Sequence, residues 1–228
     1  MLTLGIDTAA AECAVALWSS GPRAGLLAAR HEALARGQAE RLLPMILECL
    51  GAAGVDLADI ARFGVAVGPG AFTGLRVGLA AARGLALGGA KELVGITSFE
   101  AAAAAVGPGA AGLLVLRESR REDFYAQGFT ADLAPLAPPE ACLPAALPAL
   151  RRRLFGGQPA RLGGDGGPRA AALLPDLPLC PEPPGAVAAA VARLAAACSS
   201  EEVAGRPANP FYLRPPDTTA PAVAGAAG

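Results

Sequence analysis

The sequence has few of the side chains that enzymes use for chemistry on their own. It contains a single histidine, His31, and its five cysteines include no Cys-x-x-Cys pair. One imidazole cannot form a histidine metal pair, and an odd number of scattered cysteines indicates neither a disulfide framework nor a zinc site. We therefore expect a structural role for His31, no metal in this chain and a reducing, cytoplasmic environment.

Charge excess and long apolar runs are also absent. Nineteen basic residues face twenty acidic ones, a net charge of -1, which excludes the electrostatic surplus that drives unaided binding to nucleic acids. No uninterrupted apolar stretch reaches the roughly 18 to 20 residues that cross a bilayer, and no basic leader precedes the first apolar run. These absences predict a protein that is not exported, does not contact a membrane and does not bind RNA by itself.

The pattern of apolar residues predicts an α/β fold with two lobes. Residues 2–6 and 13–18 are typical of a β-hairpin, and 25–31 of a third strand. Helices are predicted over 39–50, 73–87 and 98–106, the last with Ser98 as its N-cap, and buried strands over 63–67 and 93–96. Pro44 falls in the first turns of its helix, where proline is tolerated.

This order of elements is that of one lobe of the actin-like ATPase and sugar-kinase superfold, which normally comes as two lobes around a cleft. The second half repeats the order only in part, with strands over 112–116 and 124–129 and a last helix over 186–197. We predict a first lobe, the dimerisation lobe, over 1–107, a degenerate second lobe over 108–214, and a flexible tail over 215–228.

Glycine-rich turns give the candidate nucleotide or anion site. Gly68-Pro69-Gly70 precedes a helix whose backbone N–H groups could face an anion, although both the Gly-Lys-Ser/Thr ending of a P-loop and a third glycine are missing. A tight turn with close helix packing is the alternative, and we favour it. In this superfold a carboxylate at the first hairpin faces a second glycine loop. The candidates are Asp7, Thr8, Gly68, Gly70, Gly164 and Asp165.

Two helices carry more small and apolar residues than one buried face requires, which indicates an interface. Gly74, Gly78 and Ala82 recur every four residues, so that another helix could approach closely. The predicted interface residues are Leu42, Pro44, Met45, Cys49, Phe72, Gly74, Leu75, Gly78, Leu79 and Ala82.

A charged segment, 117–123, lies at the predicted turn between two strands. Its arginines and acidic residues balance locally, so a solvated turn is the default interpretation and partner contact the alternative.

Several motifs together resemble the TsaB (YeaZ) family. They are Leu4-Gly5-Ile6-Asp7-Thr8-Ala9, the segment from Gly68 to Gly78, Gly84-Leu85-Ala86-Leu87-Gly88, Phe124-Tyr125 and Asn209-Pro210-Phe211-Tyr212-Leu213-Arg214. The resemblance implies the two-lobed actin-like fold and a role in making N6-threonylcarbamoyladenosine in tRNA. It also implies that the chain is not an enzyme by itself but the accessory subunit of a threonylcarbamoyl transferase complex.

The same resemblance implies the partners. In the family a TsaD-type catalytic subunit holds the metal and transfers the threonylcarbamoyl group, a TsaE-type ATPase joins, and helices of the first lobe make the contact. We thus expect no catalytic residue, metal or cofactor in this subunit alone, ATP or ADP and a divalent metal in the partner subunits, tRNA only through the complex, and homodimers without the partner. Arg36-Gly37-Gln38-Ala39 departs from relatives that have a histidine there.

Two other functions stay open on the residues alone. The first is an independent ATP-using enzyme of the same superfold, with Asp7 and the two glycine loops as its site. The second is a glycoprotease-like peptidase, for which the sequence offers no set of nucleophile, base and orienting group.

Overall fold

The computed structural model describes residues 1–21 and 24–214, and the predicted tail over 215–228 lies outside them. The first half of the chain builds a five-stranded mixed sheet in the order β3-β2-β1-β4-β5. Strands β1, β2 and β3 pair antiparallel, whereas β4 and β5 continue the sheet in parallel. The strands are Leu2–Asp7, Glu12–Ser19, Gly25–Ala33, Ile60–Gly68 and Glu92–Thr97, so the sequence prediction of five strands is confirmed.

Alternation along β2 explains how helices cover both faces of this sheet. Cys13, Val15 and Leu17 point into a core with helices α1 (Gln38–Ala53) and α2 (Phe72–Gly89), while Ala14 and Ala16 face the other way. Side chains of a strand alternate between faces, so large residues on one side and alanines on the other set two different packing distances. The sheet is thereby sandwiched between two helical layers.

The close-packed layer is formed by two helices that are distant in the sequence. Helices α3 (Ser98–Val106) and α6 (Ala186–Ala197) pack together, and α6 lies across β1, β2 and β4. A side chain at Gly5 would collide with the α6 backbone, and one at Gly64 would collide with the side chain of Ala195. Glycine in the sheet and alanine in the helix therefore allow an approach that larger residues would block.

The second sheet is smaller and has the order β8-β7-β6-β9. Strand β6 pairs antiparallel with β7 and parallel with β9. The sequence prediction identified β6 and β7 but not the two short strands. The elements are β6 (Gly112–Glu118), β7 (Phe124–Phe129), β8 (Glu140–Cys142), α4 (Leu147–Phe155), β9 (Ala160–Gly163), α5 (Gly167–Ala170) and α7 (Ser200–Gly205). The lobe limits at 107 and 214 stay predictions, although α6 is packed on the first sheet.

One local detail differs from the sequence prediction. Thr97, not Ser98, is the N-cap of α3, because its hydroxyl accepts the Glu100 N–H while the Glu100 carboxylate accepts the Thr97 N–H. This reciprocal pair is a capping box. Pro44 lies in the second turn of α1, among the first turns of its helix as predicted. Among the described residues, no helix is both long and apolar enough to cross a membrane.

Two glycines of α2 lie in different surroundings, one packed against the protein and one at its surface. A Cβ at Gly78 would overlap the hydroxyl of Thr8, the residue after β1, whereas one at Gly84 would meet no atom of the described chain within 4 Å. We predict that Gly78→Ala destabilises the protein by about 1–3 kcal/mol through overpacking. Gly84→Ala should stabilise it by about 0.5–1 kcal/mol, because alanine favours a helix. Urea unfolding of both variants measures the two changes, and equal effects would contradict the packing described.

Candidate functional site

A cleft of about 810 Å³ opens between the two sheets. The turn after β1 and the end of β3 form one wall, and the end of β6 with the loop 163–166 forms the other. A proline-rich segment, 181–184, lies along the rim. The cleft is thus the place where the superfold brings its two lobes together, and most of the predicted anion-site residues lie in it or directly beneath it.

Asp7 lies at the end of β1, fully buried beneath the cleft. Its Oδ1 accepts the Ala9 N–H at 2.9 Å, but its Oδ2 has no hydrogen-bond partner among the described residues. Burial raises the pKa of the Asp7 carboxyl more than the nearby Arg117 guanidinium lowers it. The predicted role as a carboxylate for nucleotide-bound metal stays a prediction, and in this structure the group is screened from the cleft.

The glycine segment after β4 wraps around the β1–β2 turn. The Ala71 N–H donates to the Ala9 carbonyl at 2.7 Å, and the Thr8 hydroxyl donates to the Gly74 carbonyl at 2.7 Å. A Cβ at Gly70 would overlap Ala9. Gly68 has φ of 109°, a left-handed conformation that favours glycine. These contacts support the alternative that the sequence favoured, a tight turn with close helix packing.

Arg117 occupies the centre of the cleft floor and is only 1% exposed. Its Nε lies 3.3 Å from Asp165 and its Nη1 3.4 Å from Glu182. Burial alone would lower the pKa of the guanidinium, but Asp165, Glu182, Asp7 and Glu12 together raise it. Arg117 is therefore charged and internal.

The default interpretation of segment 117–123 as a solvated turn is thus wrong for part of it. Asp123 is also buried, and it forms an ion pair with Arg214 at 2.8 Å. The outer residues Arg120, Arg121 and Glu122 are exposed. The sequence did not indicate that Arg117 is buried, because the segment is balanced in charge by itself and the residues that pair with Arg117 are distant in the sequence.

The loop 163–166 is held by its own chain. Asp165 accepts the Glu118 N–H at 3.0 Å, and the Gly166 N–H donates to the Leu116 carbonyl at 3.0 Å. Gly164 has φ of 90°, and its backbone lies against Leu116, where a Cβ would collide. The loop is therefore fixed against the end of β6 by contacts of its own backbone.

Two further carboxyl groups of the cleft keep their protons at higher pH than usual. Burial, and secondly the charge of Asp7, raise the pKa of Glu12 to about 7. Burial also raises the pKa of Glu182, against the opposing effect of Arg117. The cleft carries more acidic groups than basic ones. Protonation of Glu12 and Glu182 reduces its negative charge. Within residues 1–21 and 24–214, no group of three His, Cys, Asp or Glu side chains could hold a metal.

His31 lies on β3, within the strand that the sequence predicted, and its structural role stays a prediction. It is exposed on β3 and lines the mouth of the cleft. Its ring packs near Gly185, the residue before α6.

The structure divides the predicted interface residues into two groups. Pro44 and Phe72 are exposed, whereas eight members of the set lie inside the protein. Gly74 and Gly78 give room for Thr8, so this row of small residues faces the sheet and not a partner. The eight buried residues are Leu42, Met45, Cys49, Gly74, Leu75, Gly78, Leu79 and Ala82.

Other residues on the same two helices are exposed and apolar. Leu43, Leu47 and Leu87 are 51%, 64% and 85% exposed. Phe72 stacks on Tyr212 at 5.4 Å between ring centroids, and the Arg76 guanidinium lies 3.7 Å from the Phe72 ring centroid. Sequence reasoning missed the leucines, but the spacing of four between Leu43 and Leu47 could have shown a second apolar face.

Comparison with solved structures shows the fold class. A Pseudomonas aeruginosa protein described as similar to the peptidase YeaZ matches with a TM-score of 0.73 and 23% identity, over 93% of this chain and 99% of that chain. Component A of (R)-2-hydroxyglutaryl-CoA dehydratase from Acidaminococcus fermentans matches with a TM-score of 0.55 and 10% identity, over 90% and 99%. The fold is that of the actin-like ATPase and sugar-kinase class.

Sequence comparison narrows this class. TsaB of Escherichia coli K12, a tRNA threonylcarbamoyladenosine biosynthesis protein, is 39% identical over 99 residues, 43% of this chain and 41% of that protein. TsaB of Haemophilus influenzae is 36% identical over 102 residues, 45% and 42%. The family model described as TsaD, tRNA N6-adenosine threonylcarbamoyltransferase, matches residues 31–139. The aligned part spans about two fifths of the curated TsaB relatives. Together the matches support the TsaB (YeaZ) family, as the motifs predict.

The raised pKa of Glu12 predicts how stability depends on pH. The pKa of about 7 in the native protein lies above the ordinary 4.5, so the native state holds this proton more tightly than the unfolded chain. This stabilisation is complete below about pH 4.5 and is lost as pH rises through 7. The free energy of unfolding should fall by about 1–2 kcal/mol over this range, since solvent screens part of the effect.

Glu12→Gln removes the titrating group, so it should flatten this dependence when unfolding is measured in urea at several pH values. The exposed Glu201→Gln is the matched control and should leave the dependence unchanged. A slope that survives Glu12→Gln would contradict the assignment.

Proposed function

We propose that this chain is the non-catalytic accessory subunit of a complex that makes N6-threonylcarbamoyladenosine in tRNA, and that it acts by binding a TsaD-type catalytic subunit. The TsaB relatives carry this biosynthetic role in their names. The described residues offer no metal-holding cluster, and the sequence has one histidine. A supporting subunit needs a surface instead of a reaction centre.

The observation that carries the proposal is the outer apolar face of α1 and α2. Leu43 and Leu47 lie one turn apart on α1, and Leu87 lies near the end of α2. Each leaves half or more of its side chain in water. Burying a leucine is worth about 1.5–3 kcal/mol relative to leaving it exposed, so three such residues can contribute much of an interface.

Glycines on the same outer face support close approach by a partner. A Cβ at Gly51, Gly84 or Gly88 would meet no atom of the described chain within 4 Å. Glycine inside a helix costs about 0.5–1 kcal/mol relative to alanine. The packing of the chain itself does not require glycine at these positions. A helix of another subunit lying against α2 would require it.

The charges of the cleft support the proposal that nucleotide and metal are bound elsewhere in the complex. Asp165 and Glu182 lie beside Arg117 at the cleft floor, where they balance its charge and would repel the phosphates of ATP or ADP. We therefore place ATP or ADP and the divalent metal in the TsaD-type subunit and a TsaE-type ATPase, and tRNA contact in the complex as a whole. Without its partner, the apolar face would pair with a second copy of this chain.

Substitutions on the outer face test the proposal without disturbing the core. Leu47→Glu and Gly84→Arg should each weaken binding to the TsaD-type subunit of the same genome at least tenfold, because each inserts a charge into an apolar contact. Ala204→Arg on the exposed side of α7 is the matched control and should bind normally. Calorimetric titration gives the affinities, and light scattering of the isolated chain shows whether the same variants dissociate a homodimer.

Reconstituted formation of the modified nucleoside completes the test. The unchanged chain should support the modification by the TsaD-type subunit, and the two face variants should not. Variants that bind and support the reaction normally would refute the proposed face, and turnover of a substrate by the pure isolated chain would refute the accessory role.

A further inference from the structure

Two arginines are the only charged residues of helix α2. Arg76 and Arg83 are both exposed, and Phe72–Gly89 contains no acidic side chain. Seven positions make two helical turns, so both side chains leave the same side of α2, about 10 Å apart along its axis. Leu87 continues this side one turn beyond Arg83. The outer side of α2 therefore carries two positive charges and no negative one.

Neither arginine has a carboxylate partner among residues 1–21 and 24–214. The Arg76 guanidinium lies 3.7 Å from the Phe72 ring centroid. Arg83 donates from Nη2 to the Ala208 carbonyl at 2.6 Å and to Oδ1 of Asn209 at 2.9 Å. An aromatic ring and two amide oxygens orient a guanidinium but do not neutralise it. Both positive charges are thus uncompensated within the described chain.

The segment 208–212 holds both arginine side chains in place. The Ala208 carbonyl and the Asn209 side chain fix Arg83. Tyr212 stacks on Phe72, the ring that Arg76 covers, at 5.4 Å between ring centroids. A long side chain that is already held in one position loses less conformational freedom when a partner binds. The two charges are therefore presented at a fixed spacing before any partner arrives.

We propose that Arg76 and Arg83 determine which protein binds the outer apolar face of α1 and α2, by selecting a partner helix with carboxylates two turns apart. This role rests on the proposed function, to which it adds the chemistry of the partner surface. The TsaD-type subunit should present Asp or Glu side chains opposite the two arginines. Complementary charges across an interface contribute to specificity and to the rate of association.

The same charges act against self-association. A second copy packed with α2 against α2 would bring arginines close to arginines, because α2 has no acidic residue to face them. Like charges placed opposite each other are a means of rejecting a wrong partner. The two arginines therefore favour the catalytic subunit over a second copy on a face that is otherwise apolar.

Charge reversal tests the two arginines directly. A chain with both Arg76→Glu and Arg83→Glu should bind the TsaD-type subunit of the same genome at least tenfold more weakly in calorimetric titration, because carboxylates would then face carboxylates. A chain with Arg76→Gln and Arg83→Gln loses the charges without reversing them and should show a smaller loss. Arg152→Glu, at an exposed position of α4, is the matched control and should bind normally.

Salt gives a second measurement that needs no substitution. Raising NaCl from about 50 to about 500 mM shortens the range of charge interactions. The affinity of the unchanged chain for the TsaD-type subunit should fall about threefold or more over this range. Its affinity for itself, measured by light scattering, should stay the same or rise. The doubly glutamine-substituted chain should bind the partner with little dependence on salt, and it decides the test should the reversed chain fail to fold by circular dichroism.

Leu47→Glu separates this role from the proposed function. Weaker binding by Leu47→Glu together with normal binding by the reversed-charge chain would keep the apolar face and refute selection by charge. The opposite pair of results would refute the apolar face and support the arginines. An unchanged chain that does not bind the TsaD-type subunit would refute both, and a partner affinity that rises with salt would refute selection by charge.

Discussion

One buried guanidinium determines how the two lobes meet. Arg117, near the end of β6 in the second sheet, forms ion pairs with Asp165 after β9 and with Glu182 before α6, and the charges of Asp7 and Glu12 of the first sheet also raise its pKa. A charge removed from water is costly unless counter-charges surround it, and removing a partner of a buried ion pair typically costs 3–5 kcal/mol. The cleft therefore has one favourable arrangement, in which four separate segments of the chain converge on one side chain.

Outside the cleft, the two sides of helix α2 differ in what they contact. The inner side of α2 is fixed to the end of β1 through the bond from Thr8 to Gly74. Its outer side carries the open glycines and Leu87. The segment that carries Phe211 and Arg214 is a second link between the lobes. The Phe211 N–H donates to the Val67 carbonyl in β4, and Arg214 forms an ion pair with Asp123. The surface proposed for partner binding is therefore on the side of α2 that does not contact the end of β1.

Elements that follow from local periodicity were predictable, and long-range charge pairs were not. The helix Ala186–Ala197 was predicted with its observed limits, since its composition leaves no alternative. Arg117 was placed in a solvated turn because its partners Asp165 and Glu182 are 48 and 65 positions away. Spacing identified the row Gly74, Gly78 and Ala82, but spacing alone does not say which side of a helix faces the core. The short strands β8 and β9 carry too few residues for a pattern.

Hydrogen exchange of Arg117→Lys, alone and with the TsaD-type subunit, tests the central role of Arg117 most directly. Lysine keeps the charge but not the planar fork that faces several carboxylates at once. Faster exchange confined to the loop 163–166 and to residues 180–185, with unchanged protection of α1 and α2 and unchanged partner binding, is the result that the structure predicts. Unchanged exchange around the cleft, or an equal increase throughout the first sheet, would contradict it.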